Sequence, residues 1–243
     1  NQEIRNREEG LRTPTFKWQI NQSRHAVAMN GRITPQRVSW DVWQTTQTQL
    51  QRYWAPVIEA GLLLHGAGIA VNIATAAEWY HNGANLGITM ANAPRTPDAA
   101  HIIRVHDHAS DDLVALDPSA KLDVDTVNRL VARAKMLPLP IRPALINGLE
   151  LYVLIVHSDQ VRELKQNSRW LSMMRDTLKG GAWADNPLWN GALGINDGVL
   201  WLESPYIPPG IDASNVRVAN TRRAVFCGAQ SFVVGWGKDH DDE

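Results

Sequence analysis

Residues 101–112 (HIIRVHDHASDD) are the strongest candidate in this chain for binding a metal ion. His106 and His108 are two positions apart, and His101 lies five residues upstream of His106. Alternate residues of a strand point to one face, so two imidazoles with this spacing converge if the segment is extended. Imidazoles and nearby carboxylates are ordinary ligands of zinc and iron. A metal-dependent hydrolase that uses His101, His106 and His108 is therefore one hypothesis.

The spacing of this stretch weakens the hydrolase hypothesis. It resembles the H-x-H-x-D-H motif of metallo-β-lactamase-like hydrolases, but the Asp falls one place late and the final His is absent. No other segment of the sequence offers ligands that would converge on these histidines. A polar surface loop rich in His and Asp is the simpler interpretation.

Other patterns that carry chemistry are incomplete or absent. Gly66 and Gly68 supply two glycines of a dinucleotide-binding fingerprint, but Val71 stands where the third belongs, and the pair follows a predicted helix. Cys227, the single cysteine, lies in an apolar run, which favours a core residue over a reactive thiolate. The sequence has no phosphate-binding loop, HExxH motif or GxSxG motif. We therefore expect no enzymatic activity, no cofactor and no bound metal.

The composition indicates a folded protein without a disulfide framework. Of 243 residues, 44% are apolar, and 24 basic residues against 25 acidic ones leave a formal net charge of −1. This balance argues against a dedicated nucleic-acid binder. No segment has the roughly 20 apolar residues that cross a bilayer, so we expect no membrane association. Ten tryptophans point to a large core or to extensive contacts between subunits.

The N-terminal segment is predicted to be an exposed arm. Over residues 15–20 (TFKWQI) apolar and polar side chains alternate, a pattern typical of an exposed strand. Residues 1–52 contain eight basic and four acidic side chains, whereas residues 238–243 (KDHDDE) are mainly acidic. Ends of opposite charge suit contacts between neighbouring copies of the chain.

A long helix is predicted after this arm. Thr34 and Pro35 have the residue types of an N-cap and a first helical position. Pro56 predicts a kink or a break near residues 52–54, and Gly66 and Gly68 predict the end of the helix. The apolar stripe of this helix consists of Trp43, Leu50, Trp54, Val57, Gly61 and Leu64.

The rest of the chain predicts a mixed α+β fold with segregated helices and strands. Residues 71–118 indicate loops and short strands, and a helix capped by Asp123 is predicted to end before Pro138. The further predicted elements are a turn at Asn147 and Gly148, a buried strand over residues 149–156, a helix from Ser158 and Asp159 to Gly180 and Gly181, and strands over residues 199–202 and 224–234.

Three blocks of sequence, completed by a fourth, resemble one family. The first joins INQSRHAV at 20–27 to the helix that ends in HGAG at 65–68, the second covers 148–164, and the third is NPLWNGALG at 186–194. RAVFCGAQ at 223–230 completes the order. Together they are similar to the major capsid proteins of tailed phages of the coliphage N-four type. That family has a further N-terminal arm, so we expect Asn1 to mark a proteolysed or partly represented polypeptide.

The resemblance implies the Hong Kong 97-like capsid fold, an α+β fold with an extended loop, a long spine helix, a peripheral domain and an axial domain. The implied division is an arm over 1–34, the spine helix over 35–66, the peripheral domain over 67–118, the axial domain over 119–215, and closing strands with an acidic tail over 216–243. The candidates for contacts between subunits are Phe16, Trp18, Ile20, Arg24 and Trp189.

The function implied by the resemblance is structural. Identical subunits would form hexamers and pentamers of an icosahedral phage head that encloses double-stranded DNA without sequence-specific binding. The portal protein would be a partner, as would any scaffolding, cement or decoration protein. The chain would reside in the virion after assembly in the cytoplasm of the host bacterium.

Three alternatives stay open at this stage. An encapsulin-like nanocompartment would share the fold but enclose enzymes. The metal-dependent hydrolase would require stoichiometric metal. A tryptophan-rich glycan-binding module would act as a monomer.

Overall fold

The structure, a computed structural model, describes residues 17, 19–20, 41–69, 92–178, 194–214 and 216–236, with the backbone alone for 174–178. These residues form five α-helices and five strands. The strands form a small sheet, and helices pack against both of its faces. Among them, no helix is both long and apolar enough to cross a bilayer.

The first helix, α1, spans Val42–Ala67. Its N-cap is Asp41, whose carboxylate accepts hydrogen bonds from the backbone N–H groups of Trp43 and Gln44. The predicted start at Thr34 and Pro35 lies outside the described residues. Among the described residues, α1 begins directly after Asp41, which has an extended backbone and a strong capping side chain. Its predicted end is confirmed, since Gly68 closes it in the left-handed conformation with φ of 68°.

Of the kink or break predicted near residues 52–54, the break is absent, since α1 continues through Pro56. Proline removes the N–H that would bond to the carbonyl of Arg52. Arg52 is exposed, so water can satisfy that carbonyl instead.

Residues 92–122 carry helical turns where loops and short strands were predicted. Two 3₁₀ turns, Ala99–His101 and Val105–Asp107, precede helix α2, Asp111–Leu116. The Ser110 hydroxyl accepts from the N–H of Leu113 and so begins α2. The described part of the predicted loop region therefore contains no strand.

The next elements agree with the sequence patterns. Helix α3, Val124–Met136, is capped by Asp123, which accepts from the N–H of Thr126 at 2.7 Å. Strands β1, Ala144–Ile146, and β2, Leu149–Val156, form an antiparallel hairpin. Asn147 and Gly148 both have positive φ, 50° and 82°, as a tight two-residue hairpin turn requires.

The helix predicted from residue 158 to Gly180 is two helices. Helix α4 is Ser158–Leu164, and α5 is Ser168–Leu178. Asn167 interrupts the pattern because its side-chain oxygen accepts from the N–H groups of Arg169 and Trp170, as a new N-cap does. His157, rather than Ser158, caps α4. The predicted stop at Gly180 and Gly181 lies outside the described residues.

Strand β2 is central to the sheet. It pairs in parallel with β4, Val199–Glu203, and antiparallel with β5, Val225–Cys227, while β3, Ile195–Asn196, extends the other edge of β4. The strand predicted over 224–234 is therefore only three residues long. Its pairing ends where the Ser231 hydroxyl bonds to both the N–H and the carbonyl of Gly228.

Two apolar clusters lie on opposite faces of this sheet. On one face, Leu154 and Trp201 pack with residues of α3, α4 and α5, and Trp201 meets Trp170 edge to face at 5.4 Å. On the other face, Val225 and Cys227 pack with the C-terminal end of α1. The alternation of side chains along β2 and β5 explains why both faces are covered.

Candidate functional site

Of the five residues predicted to contact other subunits, the structure describes Ile20. Its side chain is 60% exposed, which fits an apolar residue of an arm. The neighbouring Gln19 is held by Asn92, whose side-chain amide donates to the Gln19 carbonyl and accepts from the Gln19 N–H, both at 2.8 Å. Asn92 thus pairs with the arm backbone as a strand would. The other candidates, Phe16, Trp18, Arg24 and Trp189, lie outside the described residues.

The histidine-rich stretch forms a cluster that differs from the predicted one. His106 Nδ1 and His108 Nε2 lie 3.0 Å and 2.9 Å from the same atom, Asp117 Oδ2. His101 takes no part, because its Nδ1 lies 3.3 Å from a carboxylate oxygen of Asp98. Asp117 was not among the residues predicted from the sequence. A carboxylate that follows a two-turn helix is the signal that could have revealed it.

The carboxylate of Asp117 is fixed from both sides. Its Oδ1 accepts from the N–H and the hydroxyl of Ser119, at 2.9 Å and 2.6 Å. Hydrogen bonds from Ser119, then from His106 and His108, hold the pKa of Asp117 well below its usual range. The group is therefore a carboxylate with one oxygen directed at two imidazoles.

The backbone beside this cluster is strained. His106 and Asp107 both have φ near 55°, a left-handed conformation that costs a non-glycine residue about 1–2 kcal/mol. An ion pair between Asp107 and Arg129 of α3, at 2.7 Å, helps to hold the turn. Because the turn is not a strand, the predicted alternation does not bring the histidines together. The 3₁₀ turn and the shared contact with Asp117 bring the two histidines together instead.

Asp111, at the start of α2, is a second polar centre and is buried. Arg104 donates to one of its oxygens at 2.8 Å, and Arg223 donates twice to the other, at 2.9 Å and 2.7 Å. Burial alone would raise the pKa of Asp111, but these hydrogen bonds outweigh it, so the pKa is lowered. The N–H of Ile211 also donates to this carboxylate. Asp111 therefore connects α2 to the nearby Arg104 and to the distant segment that carries Ile211 and Arg223, and it is a structural group.

Two further features have the properties of packing rather than of catalysis. Burial raises the pKa of Cys227 to about 11, so the thiol stays neutral and the predicted core role is confirmed. A cavity of about 410 Å³ lies between the 3₁₀ turns, α3 and β5. Neither serine nor cysteine is among the described residues that line it. Its four arginines already have partners: Arg104 and Arg223 bond to Asp111, Arg133 to backbone carbonyls, and Arg222 to Asp159.

Several large apolar side chains are exposed. Trp43, predicted to pack within the helix stripe, is 64% exposed, because the first half of α1 has no partner element in the described part of the subunit. Two further groups flank the β1–β2 hairpin and follow β5. Their members are Met136, Leu139, Leu145 and Leu149 in one group and Val233, Val234 and Trp236 in the other. Exposed apolar surface of this kind marks contacts between proteins.

Comparisons with known proteins agree with an assembly role. The sequence matches the phage capsid protein family over residues 1–242. The structure is similar to the capsid of Ralstonia phage GP4, with a TM-score of 0.58 and 19% identity, covering 84% of this chain and 56% of that chain. It is also similar to the capsid of cyanophage Pam1, with a TM-score of 0.52 and 18% identity, covering 82% and 57%. No curated protein matches the chain.

These similarities decide between the open interpretations. The chain spans little more than half the length of the two capsid chains, yet it shares their architecture, so the predicted Hong Kong 97-like α+β fold is confirmed. The predicted role as a structural protein of a phage capsid is confirmed as well. Nothing in the comparisons supports a nanocompartment or a hydrolase. Because the match covers nearly the whole sequence, the chain belongs to the phage capsid protein family.

Proposed function

We propose that this chain is the shell-forming subunit of a phage head, and that its copies assemble into the hexamers and pentamers of an icosahedral shell around double-stranded DNA. The observation that carries this proposal is the first half of α1. No residue between Val42 and Glu59 is buried within the subunit, although Leu50, Trp54 and Val57 form an apolar stripe there. An amphipathic helix is stabilised mainly by packing of its apolar face, so neighbouring subunits are its natural partners.

The exposed apolar side chains supply the energy for assembly. Burying one large side chain such as Trp43 or Leu145 is worth about 1.5–3 kcal/mol. Several such contacts, each weak, hold a subunit firmly when all its neighbours bind at once. Trp43 lies on the first half of α1, and the two other exposed groups lie beside the β1–β2 hairpin and after β5, so three parts of the described subunit present apolar side chains for such contacts.

The N-terminal arm adds a further contact. Asn92 holds the backbone of Gln19 through two hydrogen bonds, while the side chain of Ile20 is left exposed. The anchored segment thus leaves the apolar side chain of Ile20 available for a contact. We infer that Phe16, Trp18 and Ile20 pack on an adjacent subunit, with Arg24 and Trp189 as further contact residues.

The organisation of the chain follows the same proposal. We infer that residues 1–34 form the extended arm and that 35–66 contain the spine helix, whose described part is α1, Val42–Ala67. In the same division, 67–118 form the peripheral domain, 119–215 the axial domain, and 216–243 the closing strands and acidic tail. The near-neutral net charge of the chain suits an inner wall that encloses DNA without binding its phosphates tightly. The portal and any scaffolding, cement or decoration proteins are partners in the virion, and assembly takes place in the cytoplasm of the bacterial host.

Electron microscopy of purified Trp43→Ala protein tests the role of α1. We expect fewer closed shells than the unaltered chain forms, because each subunit loses an apolar contact. The free energy of unfolding of the unassembled subunit should change by less than about 0.5 kcal/mol, since Trp43 is exposed there.

Gln47→Ala is the matched control, because Gln47 is an exposed polar residue of the same half of α1. It should leave both shell yield and subunit stability unchanged. Normal shells from Trp43→Ala protein would remove the support that α1 gives to the proposal. A chain that stays monomeric under all assembly conditions would contradict the proposal itself.

A further inference from the structure

The described residues bring three metal-ligating atoms together beside the 3₁₀ turn Val105–Asp107. His106 Nδ1, His108 Nε2 and Asp117 Oδ2 all lie within 4.8 Å of one another. In a tetrahedral zinc site, with bonds of about 2.0–2.1 Å, neighbouring ligand atoms are about 3.3 Å apart. The two nitrogen–oxygen distances of 3.0 Å and 2.9 Å are a few tenths of an ångström shorter than that. The two nitrogens are at most 4.8 Å apart, so rotations of the two imidazole side chains would bring all three atoms to ligand distances around an ion.

The surroundings of the carboxylate favour such a site. Ser119 donates two hydrogen bonds to Asp117 Oδ1, which leaves Oδ2 directed at the imidazoles. Hydrogen bonds of this kind orient ligating carboxylates in metal sites. The side chains of His108 and Asp117 are mostly covered, whereas that of His106 is about half exposed. The cluster is thus supported by protein on one side and open to water on the other.

We propose that His106, His108 and Asp117 bind one divalent cation of the zinc class, with water in the remaining position. Two imidazoles and one carboxylate suit Zn²⁺, Co²⁺ or Ni²⁺, whereas Mg²⁺ and Ca²⁺ prefer oxygen ligands throughout. Each imidazole would bind the ion through the nitrogen that faces Asp117 and would carry its N–H on the other ring nitrogen. The ion links the 3₁₀ turn to the residue that follows α2, so its role is structural and independent of shell formation. His101, which pairs with Asp98, is not a ligand.

Titration of the metal-free full chain with Zn²⁺ tests the site directly. We expect one equivalent to bind per chain and the melting temperature to rise with Zn²⁺ concentration, because an ion that binds only the folded state stabilises it. Replacing Zn²⁺ by Co²⁺ should produce the visible absorption of four-coordinate cobalt with nitrogen and oxygen ligands. The absence of that absorption would overturn the proposal.

Substitutions assign the bound ion to this cluster. His108→Gln and Asp117→Asn should each raise the dissociation constant for Zn²⁺ at least tenfold and abolish the rise in melting temperature. His101→Gln is the matched control, from the same stretch but outside the cluster, and should change neither. Circular dichroism checks that each variant folds, and the cobalt spectrum of the unaltered chain decides the matter if one does not. Unchanged affinity in both cluster variants would place the ion elsewhere and overturn the proposal.

Discussion

Asp111 shows how a single residue holds distant parts of this subunit together. Its carboxylate binds Arg104, Arg223 and the N–H of Ile211, and Arg223 also donates to the carbonyl of Ala67 at the end of α1. The carboxylate and both guanidinium groups are mostly shielded from water. Removing the negative charge would leave two shielded cations next to each other, which is far more costly than losing a surface ion pair.

Asp111→Asn is therefore expected to lower the free energy of unfolding by about 3 kcal/mol at pH 7. Because folding lowers the pKa of Asp111, its contribution is complete above the ordinary carboxyl pKa of about 3.9 and is lost as the pH falls through the folded-state value. The difference between the two proteins should thus narrow below about pH 4. Urea unfolding of the unassembled subunit at several pH values measures it.

Asp112→Asn is the matched control for this prediction. Asp112 is exposed and lies next to Asp111 in the first turn of α2, so its loss should cost less than about 1 kcal/mol. If the Asp111→Asn and Asp112→Asn proteins have equal free energies of unfolding, the buried ion cluster makes no specific contribution to the stability of the subunit.

The residue types indicated which side chains are polar or could bind a metal, but not which residues those side chains contact. His106 and His108 were predicted from the sequence as potential metal ligands, and in the structure both contact Asp117. Asp117 was not predicted as their partner. Asp111 lies in the same polar stretch of sequence as the histidines, but it pairs with Arg223, which is 112 residues away in the chain. Spacing along a sequence reports only local geometry, so contacts made by tertiary folding leave no periodic signal.

At the scale of elements, two glycines of α1 have opposite roles. Gly61 lies inside the helix with no atom within 4 Å of the position that a Cβ would occupy. Gly68 has φ of 68°, and a Cβ there would lie 2.4 Å from Pro97 Cδ and 2.7 Å from the Arg95 carbonyl oxygen. One glycine is replaceable within the subunit, whereas the other is required by the close approach of the chain.

Gly61→Ala should therefore stabilise the unassembled subunit by about 0.5–1 kcal/mol, because alanine has the higher helix propensity. Gly68→Ala should destabilise it by at least about 1–2 kcal/mol, the cost of a left-handed non-glycine residue, with the clash in addition. Thermal unfolding of the two variants beside the unaltered chain measures both. A stabilising Gly68→Ala would show that α1 does not end against residues 95–97.

The start of a helix or the position of a turn was predictable from the sequence where a few adjacent residues determine it. Asp123 as a cap and Asn147 with Gly148 as a hairpin turn act within three residues, and the structure confirms both. The long helix predicted from residue 158 was wrong because Asn167 caps a new helix, and its side chain outweighs a continuous apolar stripe. Asp41, likewise a single capping side chain, begins the described helix α1.

At the scale of the whole molecule, tryptophans divide between core and surface. Trp201 is completely buried against Trp170, whereas Trp43 and Trp236 are largely exposed. In a protein that belongs to a capsid family, this division separates residues that fold the subunit from those available for contacts between subunits.

Two substitutions should separate folding from assembly. Trp18→Ala, in the proposed arm, is expected to leave the subunit folded while reducing the yield or stability of shells. Trp201→Ala should lower the free energy of unfolding by about 3–5 kcal/mol, since it leaves a large cavity in the core. Circular dichroism of subunits and microscopy of shells distinguish the two effects. Shells of unchanged yield and melting temperature from Trp18→Ala protein would argue against an interfacial arm.

The sequence by itself determined the α+β class, the helix and turn signals, the apolar strand at the centre of the sheet and the resemblance to phage capsid proteins. These features depend on local propensity, on periodicity or on similarity of sequence. Only the tertiary structure decided that Asp117 joins the two histidines, that Asp111 binds Arg104 and Arg223, and that no residue in the first half of α1 is fully buried in the described part of the subunit. Such contacts depend on which segments meet in space, and a linear pattern does not contain that information.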